Sequence, residues 1–174
     1  SVGAVRGVVH TAGVLADAML ANQTMEGLHK VWAPKVTGAY NLHEATQHCD
    51  LELFVLFSST SAMLGNAGQT NYAAANAALD GLARERRAQG QTAVSVQWGP
   101  WGEAGMAVES GVLAMMKSQG VRGITNQEGL SVLDVSARDD AAAVVGVMPV
   151  KWQTLLGPSS EVPALLSDFQ QAVG

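Results

Sequence analysis

Residues 56–80 read LFSSTSAMLGNAGQTNYAAANAALD, and the fold of the whole chain turns on how this stretch is parsed. It opens as the end of an apolar run, Leu53-Phe54-Val55-Leu56-Phe57, which has the length and composition of a buried strand. A hydroxyl cluster follows at Ser58, Ser59, Thr60 and Ser61, then a loop containing Gly65, Asn66 and Gly68, then an alanine-rich run suited to a helix. Strand, polar loop and helix in this order is the layout in which open α/β sheets place their chemistry, at the carboxyl ends of the strands. Tyr72 and Asn76 stand four residues apart in the predicted helix. They therefore share one face.

On either side of this stretch the pattern alternates between strand and helix. Residues 5–10 form a short apolar strand that ends at Thr11-Ala12-Gly13, small residues that let another group approach the backbone closely, and a turn with Asp17 follows. A long helix is predicted over residues 24–48, with Thr24 as N-cap, Pro34 as a perturbation, and Leu28, Val31, Val36, Leu42 and Ala45 on its inner side. The central helix covers residues 70–89, closing with Arg84, Arg86 and Arg87, whose charge complements the helix dipole, and with Gly90 as a stop. A strand at 93–98 leads to the rigid turn Gly99-Pro100-Trp101-Gly102, and residues 103–123, rich in Gly and Met, read as a mobile lid. Asn126 is the expected cap of a helix over 126–138, and residues 141–147 make the last strand.

Four strands alternating with helices predict an α/β fold, a mostly parallel Rossmann-like sheet with helices on both faces. Residues 1–150 are expected to form one domain, and residues 151–174, with Pro158, Ser159, Ser160 and Pro163, a linker-like tail. A first strand so near the first residue would leave an open apolar edge. The four strands therefore read as part of a larger sheet.

A formal net charge of −5 with only ten Lys and Arg, and no basic stripe, argues against nucleic acid and membrane surfaces as partners. No run is apolar enough for a membrane span, no signal-peptide pattern is present, and the single Cys49 fits a reducing compartment, so a cytoplasmic location is expected. His10, His29, His43 and His48 show no metal-ligand pattern, and a solvated or hydrogen-bonded role is expected for each; no metal site is predicted.

The motifs Gly7-Val8-Val9-His10-Thr11-Ala12-Gly13-Val14 with Asp17, Lys35-Val36-Thr37-Gly38 with Asn41-Leu42, and Phe57-Ser58-Ser59 stand in the first third of the chain. They are followed by Gly65-Asn66-Ala67-Gly68-Gln69-Thr70-Asn71-Tyr72-Ala73-Ala74-Ala75-Asn76, Trp98-Gly99-Pro100-Trp101, Gly105-Met106-Ala107 and Val150-Lys151-Trp152. In this order and spacing the chain resembles the ketoreductase domains of modular polyketide synthases and animal-type fatty acid synthases, members of the short-chain dehydrogenase/reductase superfamily. The resemblance begins at about the family's fourth sheet strand. The Gly-rich turn that holds a dinucleotide pyrophosphate, and the basic residues for the 2′-phosphate of NADPH, have no counterpart in these residues, so the chain is expected to be the carboxyl-terminal part of such a domain.

The resemblance implies a site of Tyr72, Ser59, Lys35 and Asn76, with the lysine on the earlier helix and the asparagine one turn after the tyrosine, an exchange relative to most short-chain dehydrogenases. The chemistry agrees with these types. A ketone accepting hydride develops negative charge on oxygen, which calls for a proton donor, Tyr72, and a second hydrogen bond, from Ser59. An unperturbed phenol has a pKa of about 10, and the expectation is that the Lys35 ammonium lowers it. The resemblance also gives Lys35 to the nicotinamide ribose, Asn76 to the lysine or a water chain, Thr11-Ala12-Gly13 and Pro100-Trp101 to the cofactor, and the lid near Met106, Met115 and Met116 to the acyl chain.

Stereocontrol in this family is read from a Leu-Asp-Asp motif in the first loop, or from a tryptophan eight residues before the tyrosine. Here the loop is Leu15-Ala16-Asp17, the tryptophan position holds Leu64, and Asn71 precedes Tyr72, which leans toward the D-hydroxy product. Simpler readings exist for single features. Ser58 to Ser61 suit a polar strand end, Asp17 a turn cap, the methionines a loose core, and Trp98, Trp101 and Trp152 packing anchors. Three functions are consistent with the whole. One is an NADPH-dependent reductase of a β-ketoacyl thioester on acyl carrier protein, among neighbouring synthase domains. The others are a non-catalytic scaffold remnant of a synthase and a free-standing short-chain dehydrogenase.

Overall fold

The computed structural model describes residues 3–103, 105–109, 111–136, 141–157 and 162–173, with the side chains of Met106, Glu109 and residues 170–173 outside the described set. Two compact units emerge, residues 1–98 with 131–147, and residues 99–130 with 148–174.

The first unit is built on a parallel sheet of four strands in the order β1 (Gly7–His10), β2 (Leu53–Ser59), β3 (Val94–Trp98) and β4 (Val144–Val147). All five residues of β3 are buried, so the sheet is covered on both faces at its centre, as a parallel sheet with near-continuous apolar strands requires. Val8 and His10 of β1 are buried while Val9 is half-exposed, the alternation of a strand covered mainly on one side. His10 pairs with Leu56, and Ser59 pairs with Trp98 at the carboxyl ends of β2 and β3. The alternating-element expectation is met: this is a Rossmann-like α/β arrangement.

The connection from β1 to β2 differs from the single helix predicted over 24–48. It contains α1 (Met25–Trp32), a π-helical turn (Ala33–Thr37) and α2 (Gly38–Ala45). Thr24 caps α1 as expected, its Oγ1 accepting the Gly27 amide at 3.0 Å. Pro34 explains the interruption, because it has no amide to donate to the carbonyl of Lys30 and its ring crowds that carbonyl. The Gly38 amide instead reaches back five residues to the Ala33 carbonyl and is shared with the Lys35 carbonyl. A π-turn widens the backbone by one residue per turn, and such turns gather at functional positions.

After β2, the short α3 (Ser61–Leu64) ends at Gly65, with φ of 73°, and Gly68 takes φ of 79° before α4 (Thr70–Ala88) begins. Leu79, Leu82 and Ala83 of α4 pack into one cluster with Val8, Phe54 and Leu56 of the sheet and Ala39 of α2. Each buried leucine contributes about 1.5–3 kcal/mol, and Leu82→Ala costs about 2–5 kcal/mol. One of the arginines assigned to the helix dipole has a different role. Arg86 is buried with its guanidinium 3.9 Å from the Phe54 ring centroid, 2.6 Å from His43 Nδ1, and donating to the Thr92 carbonyl at 3.2 Å.

In the second unit, α5 (Met106–Glu109) and α6 (Leu113–Ser118) occupy much of the stretch predicted as an irregular lid. The helix α7 (Asn126–Ser136) is capped by Thr125 and not by Asn126. Thr125 Oγ1 accepts the Glu128 amide at 3.2 Å and Glu128 Oε2 accepts the Thr125 amide at 2.9 Å, a reciprocal capping box that the sequence Thr125-Asn126-Gln127-Glu128 encodes. Trp101 forms a parallel bridge with Ile124, and its ring lies where a Cβ on Gly129 would stand. The predicted linker after residue 151 is structured in its described part. There α8 (Trp152–Leu156) is followed by a 3₁₀ run (Ala164–Val173), and Trp152 stacks on Phe169 at 4.2 Å between centroids.

Candidate active site

The carboxyl ends of β1 and β2, the π-turn and the start of α4 meet around one buried cation. Lys35 lies in the π-turn, is 3% exposed, and donates from Nζ to the Phe57 carbonyl of β2 at 2.9 Å. Its ammonium stands 5.3 Å from the centroid of the Tyr72 ring, within cation–π range. Burial lowers its pKa to about 8, against the charge of Asp80, which raises it. At neutral pH the amine is therefore still mostly protonated. An ammonium has three N–H donors, and the described bonds account for one.

Tyr72 is buried in the first turn of α4, as predicted. Its titration differs from the expectation. Burial pushes the phenol pKa up, a hydrogen bond from Asn76 pulls it down, and the charge of Asp17 pushes it up further, so the lysine does not dominate in this state. The physical reason is that removing a phenolate from water costs more than one partly shielded ammonium returns. Asn76 lies one turn on, fully buried, and donates Nδ2 to the Tyr72 carbonyl at 2.9 Å. Its Oδ1 is buried with no protein partner, an acceptor left open in the interior. Ser58 Oγ donates to the Asn76 carbonyl at 3.3 Å. Ser59, at the last position of β2, has its Oγ accepting the Ser61 amide at 3.2 Å, which fixes its rotamer, while Ser61 Oγ is buried without a partner.

The loop after β1 is fastened to the start of α4. Asn71 Nδ2 donates to the Ala16 carbonyl at 2.8 Å, Gln69 Nε2 donates to Asp17 Oδ2 at 2.9 Å, and the Ala18 amide donates to the Gly68 carbonyl at 2.9 Å. Thus Asp17 and Asn71 are tied to one structure, and Leu64 is half-exposed at the end of α3. Thr11 and Ala12 are exposed and Gly13 partly so. Gly13 has a steric reason for its identity, since a Cβ there would sit 3.2 Å from Lys35 Cε and 3.5 Å from Nζ. Pro100 and Trp101 belong to the second unit, where the Pro100 carbonyl accepts the Ile124 amide at 2.8 Å. The side chain of Met106 lies outside the described residues.

One site-proximal residue was given no role by the sequence reading. Asp80, buried, accepts from Ser95 Oγ at 2.6 Å and from Gln97 Nε2 at 2.7 Å. It continues the face of Tyr72 and Asn76 at the next four-residue step, a spacing that would have flagged it. His10 takes the hydrogen-bonded one of its two expected roles, with Nε2 2.8 Å from the Lys35 carbonyl. Among the described residues no cluster of His, Cys, Asp and Glu is able to hold a metal ion, and no helix is long and apolar enough to cross a membrane.

Residues 1–103 match the family model described as KR domain. The chain belongs to this family, the ketoreductases of modular polyketide synthases within the short-chain dehydrogenase/reductase superfamily. Polyketide synthase GfsA of Streptomyces halstedii is 45% identical to this ketoreductase sequence over 168 residues, 94% of the chain. Spectinabilin polyketide synthase system protein NorB of Streptomyces orinoci is 43% identical over 150 residues, 84% of the chain. Among solved structures, the ketoreductase PlmKR1 from the first module of phoslactomycin biosynthesis in Streptomyces sp. HK803 superimposes with a TM-score of 0.88 at 40% identity over 98% of the chain. A structure of A-type ketoreductases from a modular polyketide synthase gives a TM-score of 0.87 at 40% identity over 97%. The chain spans 2% and 7% of the two synthases, and 39% and 36% of the two solved chains.

The family binds a nicotinamide cofactor, and the residues present fit part of one. Lys35 has donors beyond its one described bond, Asn76 Oδ1 is a buried acceptor without a partner, and the exposed Thr11-Ala12 leads to a Gly13 backbone that lies bare against the lysine.

Proposed function

We propose that this chain carries the catalytic residues of an NADPH-dependent reductase that converts a β-ketoacyl thioester, tethered to acyl carrier protein, into the β-hydroxyacyl thioester during polyketide synthesis. The observation that carries the reading is the pairing of a buried Lys35 ammonium with the Tyr72 ring, 5.3 Å to the centroid, at the carboxyl end of a parallel sheet. Bound NADPH would supply the hydride. Thr11, Ala12, Gly13, Lys35, Tyr72, Pro100 and Trp101 are the residues assigned to hold its nicotinamide end.

The raised pKa of Tyr72 keeps the phenol protonated at neutral pH, which is the form a proton donor needs. As negative charge builds on the substrate oxygen, Tyr72 gives up its proton and Ser59 Oγ adds a second hydrogen bond. The phenolate left behind is stabilised by the Lys35 ammonium, whose charge is worth more in a buried site than in water. Asn76 Oδ1 is the acceptor that aligns the lysine or a water able to return the proton to the site. Asp17, Asn71, Leu64 and Met106 would govern which face of the ketone is presented, and Asp17 with Asn71 favours the D-hydroxy product. A free-standing dehydrogenase is disfavoured, because the relatives are long multidomain synthases and imply neighbouring synthase domains.

The test is NADPH binding by fluorescence titration, and turnover of a β-ketoacyl thioester, on this chain and on the same chain extended upstream through its native coding sequence. Binding and reduction by the extended chain, abolished by Tyr72→Phe, support the reading. An extended chain that neither binds nor reduces leaves a non-catalytic scaffold in its place.

A further inference from the structure

His10 closes β1 at the point where the chain leaves the sheet, on the face shared with Val8, and pairs in register with Leu56. An apolar side chain would suit this buried position, and a buried imidazole there needs a polar partner. The partner is the Lys35 carbonyl, 2.8 Å from Nε2. A carbonyl only accepts, so Nε2 carries the proton and the tautomer follows from the geometry.

That carbonyl belongs to the π-turn, where the Gly38 amide is shared between the Ala33 and Lys35 carbonyls and the regular spacing of donors and acceptors is broken, so His10 is a second donor to the Lys35 carbonyl. The ring also lies against the far side of the turn, because a Cβ on Gly38 would stand 3.2 Å from His10 Cε1. Three residues later the same segment touches the lysine again, at Gly13, beside Cε and Nζ. One short segment thus brackets Lys35, at its backbone through His10 and at its ammonium end through Gly13.

We propose that His10 is a positioning residue for reduction: by donating Nε2–H to the Lys35 carbonyl it holds the Pro34-induced π-turn in the form that directs Nζ to the Phe57 carbonyl and the Tyr72 ring. Without the donor, the turn relaxes toward ordinary helical spacing and the ammonium leaves its slot. The inference rests on Lys35 serving the reductive site. Burial and the charge of Asp80 on α4 set the charge of Lys35, the Tyr72 ring lies 5.3 Å from its ammonium, His10 bonds its carbonyl, and Asp17 acts on Tyr72.

The measurement is the pH dependence of Lys35 modification by an amine-acylating reagent, read by mass spectrometry on the intact chain, beside steady-state reduction by the extended chain. His10→Leu is expected to move the midpoint up from about 8 by about one unit or more toward the ordinary lysine value, as the amine regains water. It is also expected to lower kcat about tenfold or more with little change in KM for the thioester. His10→Gln keeps an N–H donor and should restore both. A folded His10→Leu with an unchanged midpoint, or His10→Gln behaving like His10→Leu, overturns the proposal. Should His10→Leu fail to fold, the imidazole ¹⁵N spectrum of the unmutated chain decides: a slowly exchanging Nε2–H supports it, and an Nδ1–H tautomer overturns it. Lys35→Met separates the two claims. Full activity in that variant removes the catalytic reading, while a shifted midpoint in His10→Leu still establishes the clamp.

Discussion

The two units of this chain achieve local order by different means. In the first, buried polar side chains are numerous: Lys35, Asn71, Asn76, Asp80, Arg86, Ser95 and Gln97 are all buried, and each has a named hydrogen-bond partner. In the second, the described core is small and apolar, with Val121, Ile124, Leu156 and Leu166, and the ion pair between Arg122 and Glu128 is on the surface. A buried polar network depends on chemical identity, since a lost partner strands the other group. The second unit depends instead on shape, through glycines pressed against rings and backbone. The two should therefore fail differently, the first by losing function within an intact fold and the second by losing fold.

The largest expected effect is chemical. Tyr72→Phe removes one oxygen from a buried ring and leaves the packing of Val31, Val36 and Ala75 around it in place, so unfolding should barely change. Reduction by the extended chain should fall by about 10²–10⁴-fold. A loss smaller than tenfold would mean that the first unit is not the chemical one.

The opposite pattern is expected at Gly129. A methyl group there would meet Trp101 Cζ3 at 2.6 Å and would come closer still to Cη2, so the ring must shift, against a backbone that is held by its bridge to Ile124. Gly129→Ala should destabilise by about 1–3 kcal/mol, read as a lowered denaturation midpoint. Helix propensity alone predicts the reverse, a gain from Gly to Ala inside a helix. Stabilisation by this substitution would therefore contradict the shape-based account of the second unit.

A smaller effect follows from Lys35, and its sign runs against habit. The folded pKa is lowered to about 8, while the unfolded chain holds the proton up to about 10.4. Between these values the unfolded state binds more protons, so stability should rise as pH increases from about 8 to 10, after carrying the full penalty of a buried ammonium at neutral pH. Denaturant titrations across this range should show the rise, and Lys35→Met should abolish it. Activity should fall over the same range, because the amine that stabilises the phenolate loses its charge.

Much of this is legible in the residues alone. The strand from Leu53, read to Phe57 and running on to Ser59, the helix from Thr70 and the shared face of Tyr72 and Asn76 follow from local periodicity, which depends only on neighbours in sequence. Pro34 announces a perturbation, but whether it kinks, breaks or widens the helix depends on partners such as His10 that lie far away in sequence. Asp80 escapes notice because a carboxylate in a helix reads as a solvated residue, and only β3 supplies the two donors that make its burial tolerable. The direction of the Tyr72 shift is missed for the same reason. The residues name the ammonium but carry no measure of how much water is excluded around the phenol.

The smallest effect sharpens the contrast from the side of the second unit. Glu128 holds Arg122 and closes the capping box with Thr125, and these bonds draw its pKa down to about 2, the contact with Arg122 contributing most. A carboxylate whose folded pKa is depressed adds stability that is complete above its ordinary value of about 4.3 and is lost as pH falls toward 2. The pair is solvent-exposed, and water and salt screen it, so the loss should be small and should shrink further at high ionic strength. Glu128→Gln keeps an oxygen for the Thr125 amide and removes only the charge. In acid denaturation followed by circular dichroism, this variant should differ from the unmutated chain only above about pH 2, and by less than Gly129→Ala differs at any pH. A larger effect from Glu128→Gln than from Gly129→Ala would mean that charge, and not shape, orders the second unit.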